Sequence, residues 1–144
     1  MYRLSLIIVT LWVGALWATG YSAYLLFDTL QDKQLAGQLA GRLFTAVSYI
    51  GMASGVYLLI DRLVGFGFEA FKQSVFWIIV LMLTLVIAGH FGIQPLLAQL
   101  KNSAFPNDVM QSVFASRFKT WHGLASIAYL AECLLGIGLV LKIR

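Results

Sequence analysis

Charged residues are scarce in this chain, and this scarcity points to the class of protein. Only 11% of its 144 residues are Asp, Glu, Lys or Arg, whereas 60% are hydrophobic. A soluble domain carries about 25% charged residues, so this chain has too little polar surface to cover a water-soluble core. The composition therefore predicts a protein that lies in a lipid bilayer.

Cysteine and the common catalytic motifs are also missing or rare. Cys133 is the one cysteine, so no disulfide can form within the chain. The sequence contains no Gly-x-Ser-x-Gly element and no phosphate-binding glycine loop, and no Ser/His/Asp arrangement is apparent. These absences disfavour a nucleophilic hydrolase. We therefore favour a non-enzymatic protein and assign no catalytic residues.

Four long apolar runs fill most of the sequence. They cover about residues 4–27, 43–60, 74–97 and 120–141, and the only formal charge inside them is Glu132. Each is close to the roughly 20 residues that a helix needs to cross a bilayer, whereas strands would appear as shorter, alternating segments. The first run is too long for the apolar part of a signal peptide. The sequence therefore predicts an all-α integral membrane protein, a single domain of residues 1–144 with four transmembrane helices.

The basic residues that flank these runs bear on orientation. Four spans put both termini on one side, and the basic residues divide five against five between the two sides, so the positive-inside rule does not decide. We place both termini in the cytoplasm because Lys142 and Arg144 follow the last span directly, and we expect a bacterial inner membrane. The net charge of +4 fits anchors for lipid headgroups and requires no nucleic acid.

Two pairs of segments suggest an internal duplication. The sequence from Gly20 resembles the sequence from Gly89, and Arg42 aligns with Arg117 further along. A duplication would make the bundle two tandem helical hairpins, related by an axis along the membrane normal. The alternative is a chance match, because membrane helices share a small set of residue types.

Small residues recur along the first three spans, where they let helices approach closely. We expect helix contacts at Gly14, Gly20, Gly51, Gly55, Gly89 and Gly92.

Amphipathic segments precede the second and fourth spans. Leucines at four-residue spacing in residues 35–43 predict an interfacial helix that runs into span two. After Pro106, Asn107 or Asp108 can cap a second such helix. The apolar side of that helix would consist of Val109, Val113, Phe114 and Phe118.

Two histidines lie within the apolar spans. His90 is about seven residues before the end of span three, and His122 is just inside span four, so both lie within roughly 10 Å of the same membrane surface. They could bind a shared metal ion or a haem, or each could hydrogen-bond a neighbouring helix or a water. Pro95 follows His90 and predicts that the third helix bends or ends there, because proline lacks the N–H group.

A polar stripe follows His122 along span four. Ser126, Tyr129 and Cys133 share one helix face with it, and Glu132 borders that face about 15 Å deeper in the membrane. A carboxyl group at that depth is costly and indicates a function by default. Glu132 could relay a proton, bind a cation, or form a hydrogen bond as a neutral group to the second span.

Four segments together resemble a known family. They are "LWVGALWATGY" from Leu11, "LAGQLAGRLF" from Leu35, "HFGIQPLLAQL" from His90 and "HGLASIAYLAECLLG" from His122. In this order they resemble the transmembrane-protein-205-like family of domains of unknown function. The resemblance implies a small four-span membrane protein and supplies no catalytic residues.

Two functions follow from these observations. The first is a non-enzymatic module that binds or moves a small ligand or metal cation, or that assists a membrane complex as a homo-oligomer or with a partner. Its candidate ligand-binding or proton-relay residues are His90, His122, Tyr129 and Glu132. The second is a membrane redox protein in which His90 and His122 ligate a haem or a metal ion.

Overall fold

The computed structural model describes residues 2–143 and contains no strand within that range. The main helices are α1 (Tyr2–Thr29), α2 (Lys33–Phe66), α3 (Ser74–Ala88), α4 (Gln94–Ala104) and α5 (Ala115–Lys142). A π-helical turn, Gly89–Ile93, joins α3 to α4 into one continuous rod. Short 3-10 helices, Gly67–Lys72 and Val109–Gln111, follow α2 and precede α5. Arg144, one of the basic residues that flank the last span, lies outside the described residues.

Four helical segments are long and apolar enough to cross a membrane. They are Arg3–Thr29, Lys33–Lys72, Ser74–Ala104 and Ala115–Lys142. Each contains one of the predicted apolar runs, so the all-α fold with four membrane-length helices is confirmed. Four such helices indicate a multi-pass protein of the lipid bilayer.

The helices pack as a ring around a shared core. α1 packs against α2 and α5, and α3 packs against the same two helices. Trp12, Leu58, Ile79 and Leu139 are completely buried at the centre. Many large apolar side chains face outwards; Ile127, for example, is 69% exposed. An apolar outer surface of this kind fits an environment of lipid tails.

Glycine allows the closest of the helix contacts. A Cβ atom at Gly51 would lie 2.9 Å from the indole nitrogen of Trp12, and one at Gly55 would lie 3.0 Å from Leu83. A Cβ at Gly20 would meet Tyr129 at 3.2 Å. These three positions confirm the predicted close packing.

The other glycine predictions are wrong. At Gly14, Gly89 and Gly92 no atom of another helix lies within 4 Å of the Cβ position, so no other helix packs closely against these residues. Gly136 on α5, which was not predicted, packs so closely that its Cβ would lie 3.1 Å from Val13. Spacing alone does not show which side of a helix faces a neighbour.

The two amphipathic segments have different outcomes. α2 begins at Lys33, where the side chain of Asp32 caps it, and continues without a break into the membrane span, as predicted. Asp108 does act as a cap, but only for the three-residue 3-10 helix before α5. Three of the four predicted apolar positions face the bundle, because Val109 is buried and Phe114 and Phe118 pack against its cluster. Val113 is the exception and is 90% exposed.

The third rod changes its winding beside His90. α3 ends at Ala88, and in the π turn the amide of Gln94 donates a hydrogen bond to the carbonyl of Gly89. α4 follows with Pro95 in its first turn. Because Pro95 has no N–H group, it cannot donate the hydrogen bond that a regular α-helix requires there. The predicted irregularity next to Pro95 is therefore present, as a π turn that contains His90.

Candidate functional site

A large cavity lies in the half of the bundle that contains the connections at residues 30–32 and 105–114; this half is called the loop end below. The cavity volume is about 1390 Å³, and α1, α2, the third rod and α5 all contribute to its walls. The structure brings all four predicted site residues to this one cavity: His90, His122, Tyr129 and Glu132 all line it. Their roles in binding stay predictions.

The cavity lining is mostly apolar, with charges at particular places. The charged residues of the lining are Lys33, Arg42, Lys101, Asp108 and Glu132. The first four are near the loop end, where three cations face one acid. Glu132 is ten residues along α5 from His122, which places it about 15 Å deeper at 1.5 Å per residue. The cavity is therefore positive at the loop end and has a single acid at its deep end.

His122 and Lys101 both contact one aromatic ring, that of Phe118. The imidazole of His122 stacks on Phe118, with 5.6 Å between ring centroids and 9° between ring planes. The Nζ of Lys101 lies 5.7 Å from the centroid of the same ring. Among residues 2–143, neither His122 nor Lys101 has a hydrogen-bond or ion-pair partner for its side-chain nitrogens. Both nitrogen groups are thus available at the loop end of the cavity.

Aromatic edges hold His90 in the wall. Its ring makes edge contacts with Tyr49, at a centroid distance of 5.0 Å, and with Phe91, at 4.8 Å. The Nδ1 atom is buried and has no hydrogen-bond partner in the part of the chain that the structure describes. His90 therefore owes its position to packing and to the π turn.

Tyr129 joins three helices at the cavity wall. Its hydroxyl donates a hydrogen bond to the backbone carbonyl of Leu16 on α1. Its ring packs edge-on against Phe44 on α2, with centroids 5.0 Å apart, and lies over Gly20. These contacts give Tyr129 a structural role in shaping the cavity.

Glu132 is the most unusual polar residue of the site. It is 6% exposed, and its Oε1 atom has no hydrogen-bond partner among the described residues. The predicted alternative of a hydrogen bond to the second span is therefore not formed within residues 2–143. A buried polar atom without a partner costs free energy, so a ligand that supplies the missing hydrogen bond would stabilise this residue.

Sequence reasoning missed two polar residues of this wall. Gln94 donates to the hydroxyl of Ser48 and accepts from the hydroxyl of Thr45, both at 3.4 Å. From the sequence, Lys101 is only one of the ten basic residues that flank the spans. His90, Gln94 and Lys101 follow one another at spacings of four and seven, which keeps residues on one helix face. This spacing was the signal that could have found them.

Two features support the metal hypothesis. His90 and His122 line the same cavity, and His90 has an unpartnered ring nitrogen. However, within the described residues no group of three or more His, Cys, Asp or Glu side chains could hold a metal ion. Ligation by two histidines alone stays a prediction.

The fold and the cavity together define the class: a multi-pass helical membrane protein with an open, mostly apolar cavity. Within that class, the chain belongs to the family described as Domain of unknown function (DUF4149), whose model matches residues 7–106. The match includes His90 and ends before α5, which carries the other three candidate residues. No curated protein and no solved structure matches the chain.

Proposed function

We propose that this protein is a non-enzymatic membrane protein that binds an amphipathic small molecule in its cavity. The observation that carries the proposal is the lining: a largely apolar wall with a few polar groups that lack partners, at the loop end and at the deep end. Ligand sites commonly combine an apolar wall with a few polar groups that fix orientation. The proposal includes three uses of this binding: the protein stores the ligand, moves it across the membrane, or presents it to a partner complex.

The candidate residues take distinct roles in this proposal. Tyr129 shapes the wall, because its hydroxyl already bonds the carbonyl of Leu16. His90 borders the ligand beside the π turn. His122 contacts the polar end of the ligand near the loop end. Glu132 bonds a second polar group of the ligand, or passes a proton to it, at the deep end.

The alternative is a haem or metal protein that uses His90 and His122. The unpartnered Nδ1 of His90 favours it. An absorption spectrum of the purified protein tests this alternative: a Soret band that disappears in both His90→Ala and His122→Ala would support haem. A colourless protein that contains no metal by elemental analysis would reject it.

Three finer proposals concern the whole chain. We propose that residues 1–144 fold as one domain, and that the chain is related to the transmembrane-protein-205-like family through the four segments given above. We further propose that it lies in a bacterial inner membrane with both termini in the cytoplasm.

A pair of glycine variants tests the proposed binding. Gly41 lines the cavity and has no atom within 4 Å of its Cβ position, while Gly14 has equally open space but does not line the cavity. Gly41→Phe should therefore occupy part of the cavity without disturbing the helices, and Gly14→Phe should add the same side chain elsewhere. The probe is a dodecyl glucoside with a photoreactive diazirine in its tail, added to protein in phosphatidylcholine nanodiscs.

We expect saturable labelling of cavity residues on α2 and α5 in the wild type and in Gly14→Phe. Gly41→Phe should weaken this binding by about tenfold, equivalent to about 1.4 kcal/mol. Labelling confined to the outer helix faces, or equal labelling of both variants, would reject the proposal.

A further inference from the structure

We propose that Lys101 and His122 form a headgroup subsite that takes an anion, either a phosphate or a carboxylate, at the loop end of the cavity. The inference rests on the proposed function, because the apolar part of the same ligand would lie along the cavity. It adds the chemical class of the headgroup and a residue that the sequence did not single out.

The surroundings of Lys101 lack the partner that its charge requires. The side chain is half-buried, and its Nζ lies 3.4 Å from the Cβ position of Gly37 on α2, close to the helix backbone. Among the described residues no carboxylate oxygen lies within 4.0 Å of it. Cations withdrawn from water are normally paired. An anion from a ligand would complete this environment.

The neighbouring charges favour an anion over a cation. Lys33 is engaged, because its ammonium donates to the carbonyls of Phe27 and Leu30 at the end of α1. Asp108 is engaged as well, since its carboxylate caps the 3-10 helix before α5. Arg42 also lines the cavity and has no ion pair within residues 2–143. A metal cation at the loop end would be repelled by the mostly positive side chains there, so a metal cation is disfavoured as the ligand of this subsite.

His122 provides a second donor beside Lys101. Its imidazole lies flat on Phe118, so the ring edge, which carries the nitrogens, remains available. The ammonium of Lys101 approaches the same phenyl ring, which keeps both groups at one place. Hydrogen bonds between charged donors and phosphate or carboxylate oxygens are about twice as strong as neutral ones. Lys101 supplies one such charged donor and the imidazole of His122 can add an N–H donor, so the two together can discriminate an anionic head from a neutral one.

The experiment compares two photoreactive probes with one tail. Dodecyl phosphate and dodecyl glucoside, each with the same diazirine in the alkyl chain, are titrated into wild-type protein in phosphatidylcholine nanodiscs. Neither probe carries a polar group in its tail that could bond Glu132. Because the tails are identical, any difference in labelling comes from the headgroup. We expect dodecyl phosphate to label the cavity at about tenfold lower concentration than dodecyl glucoside.

Two lysine variants test the assignment. Lys101→Gln should raise the concentration of dodecyl phosphate needed for half-maximal labelling by about tenfold and leave dodecyl glucoside unchanged. Lys101→Arg should restore most of the preference, because it keeps the charge. The control is Lys119→Gln, which removes the same charge from an exposed position on α5 that does not line the cavity. It should behave as wild type.

The possible results separate the proposed function from the headgroup inference. If neither probe labels the cavity, the proposed function fails. If both label it equally and Lys101→Gln changes nothing, the cavity binds amphiphiles and the headgroup inference is overturned. Equal loss in Lys101→Gln and Lys119→Gln would also overturn it, as an effect of general surface charge.

Competition distinguishes the two sources of such an anion. Phosphatidylglycerol in the nanodisc should compete with dodecyl phosphate if a membrane lipid is the ligand, and this would support the subsite. If inorganic phosphate competes at the same concentration as dodecyl phosphate, the subsite holds a free anion, and the amphipathic ligand of the proposed function is rejected.

Discussion

Glu132 places a carboxyl oxygen inside the bundle where no described residue donates a hydrogen bond to it. A residue of this kind lowers the stability of the empty protein and is retained where a function needs it. Its neighbour Tyr129 shows the contrast, because the Tyr129 hydroxyl bonds the carbonyl of Leu16. The two residues lie on one helix and line one cavity, yet we assign a binding role to Glu132 and a structural role to Tyr129.

Replacing the acid should stabilise the protein and weaken its binding. We expect Glu132→Leu to raise the midpoint of thermal unfolding in detergent by about 3 °C or more, because it removes an unpaired buried polar group. It should also reduce the amount of natural ligand that copurifies. The matched control is Glu69→Leu, which removes an exposed acid paired only with Lys72 and should leave the midpoint nearly unchanged. A lower midpoint in Glu132→Leu would show that the fold needs the acid.

The polar stripe on the last span was predictable because helical spacing alone places Tyr129 and Glu132 near one face. There is a physical reason why Lys101 was not recognised from the sequence. Its importance depends on Phe118 and Gly37, which approach it only after three separate segments have packed. The spacing of His90, Gln94 and Lys101 indicates a shared helix face, but contacts between segments far apart in sequence leave no local pattern that would single out Lys101.

Among the helices, the packing of α1 against α2 depends on Gly51. The Cβ position of Gly51 is 2.9 Å from the Trp12 nitrogen and 3.1 Å from Val86. Trp12 is completely buried, so its rigid ring has no space into which it can move. Although alanine favours a helix by about 1 kcal/mol over glycine, overpacking here should cost about 1–3 kcal/mol.

We therefore expect Gly51→Ala to lower the thermal midpoint by a few degrees. Gly14→Ala should keep or raise it, since no atom lies within 4 Å of that Cβ position. Differential scanning fluorimetry in detergent measures both. Equal midpoints for the two variants would contradict the close packing at Gly51.

The positions of the long helices could be predicted from the sequence, whereas the short helices and the helix contacts could not. The apolar runs and the leucines before span two indicated α2 correctly, because hydropathy and period are local properties. After Pro106, the sequence indicated the apolar positions Val109, Phe114 and Phe118 correctly, but it did not indicate that the helix there is only three residues long. Gly14, Gly89 and Gly92 show the same limit: the sequence gives the spacing of small residues, whereas the tertiary packing decides which of them face a neighbour.

For the whole molecule, orientation is open to a direct test. Cys133 is buried, and a Cys133→Ala background accepts single cysteines at exposed positions. Phe68, 89% exposed, lies at the end of the bundle opposite the cavity, and Ser103 lies exposed at the loop end. With both termini in the cytoplasm, Ser103→Cys should react with a membrane-impermeant maleimide in intact spheroplasts. Phe68→Cys should react only after permeabilisation. The reverse pattern would place both termini outside the cytoplasm.

The number of membrane helices could be predicted for the whole molecule, because bilayer thickness sets their length. The cavity could not be predicted, since its walls come from four segments and its volume depends on how their side chains pack. Internal duplication of the two hairpins stays a prediction. α1 and α3 each pack against α2 and α5, an arrangement that is compatible with two equivalent halves.

The most direct measurement is native mass spectrometry of the protein released from its own membrane in a neutral detergent. We expect the wild type and Gly14→Phe to carry an added mass that dissociates as an anionic amphiphile, and Gly41→Phe to retain much less of it. If the wild type appears at its polypeptide mass alone, or if all three proteins retain the same adduct equally, the cavity is not a ligand site.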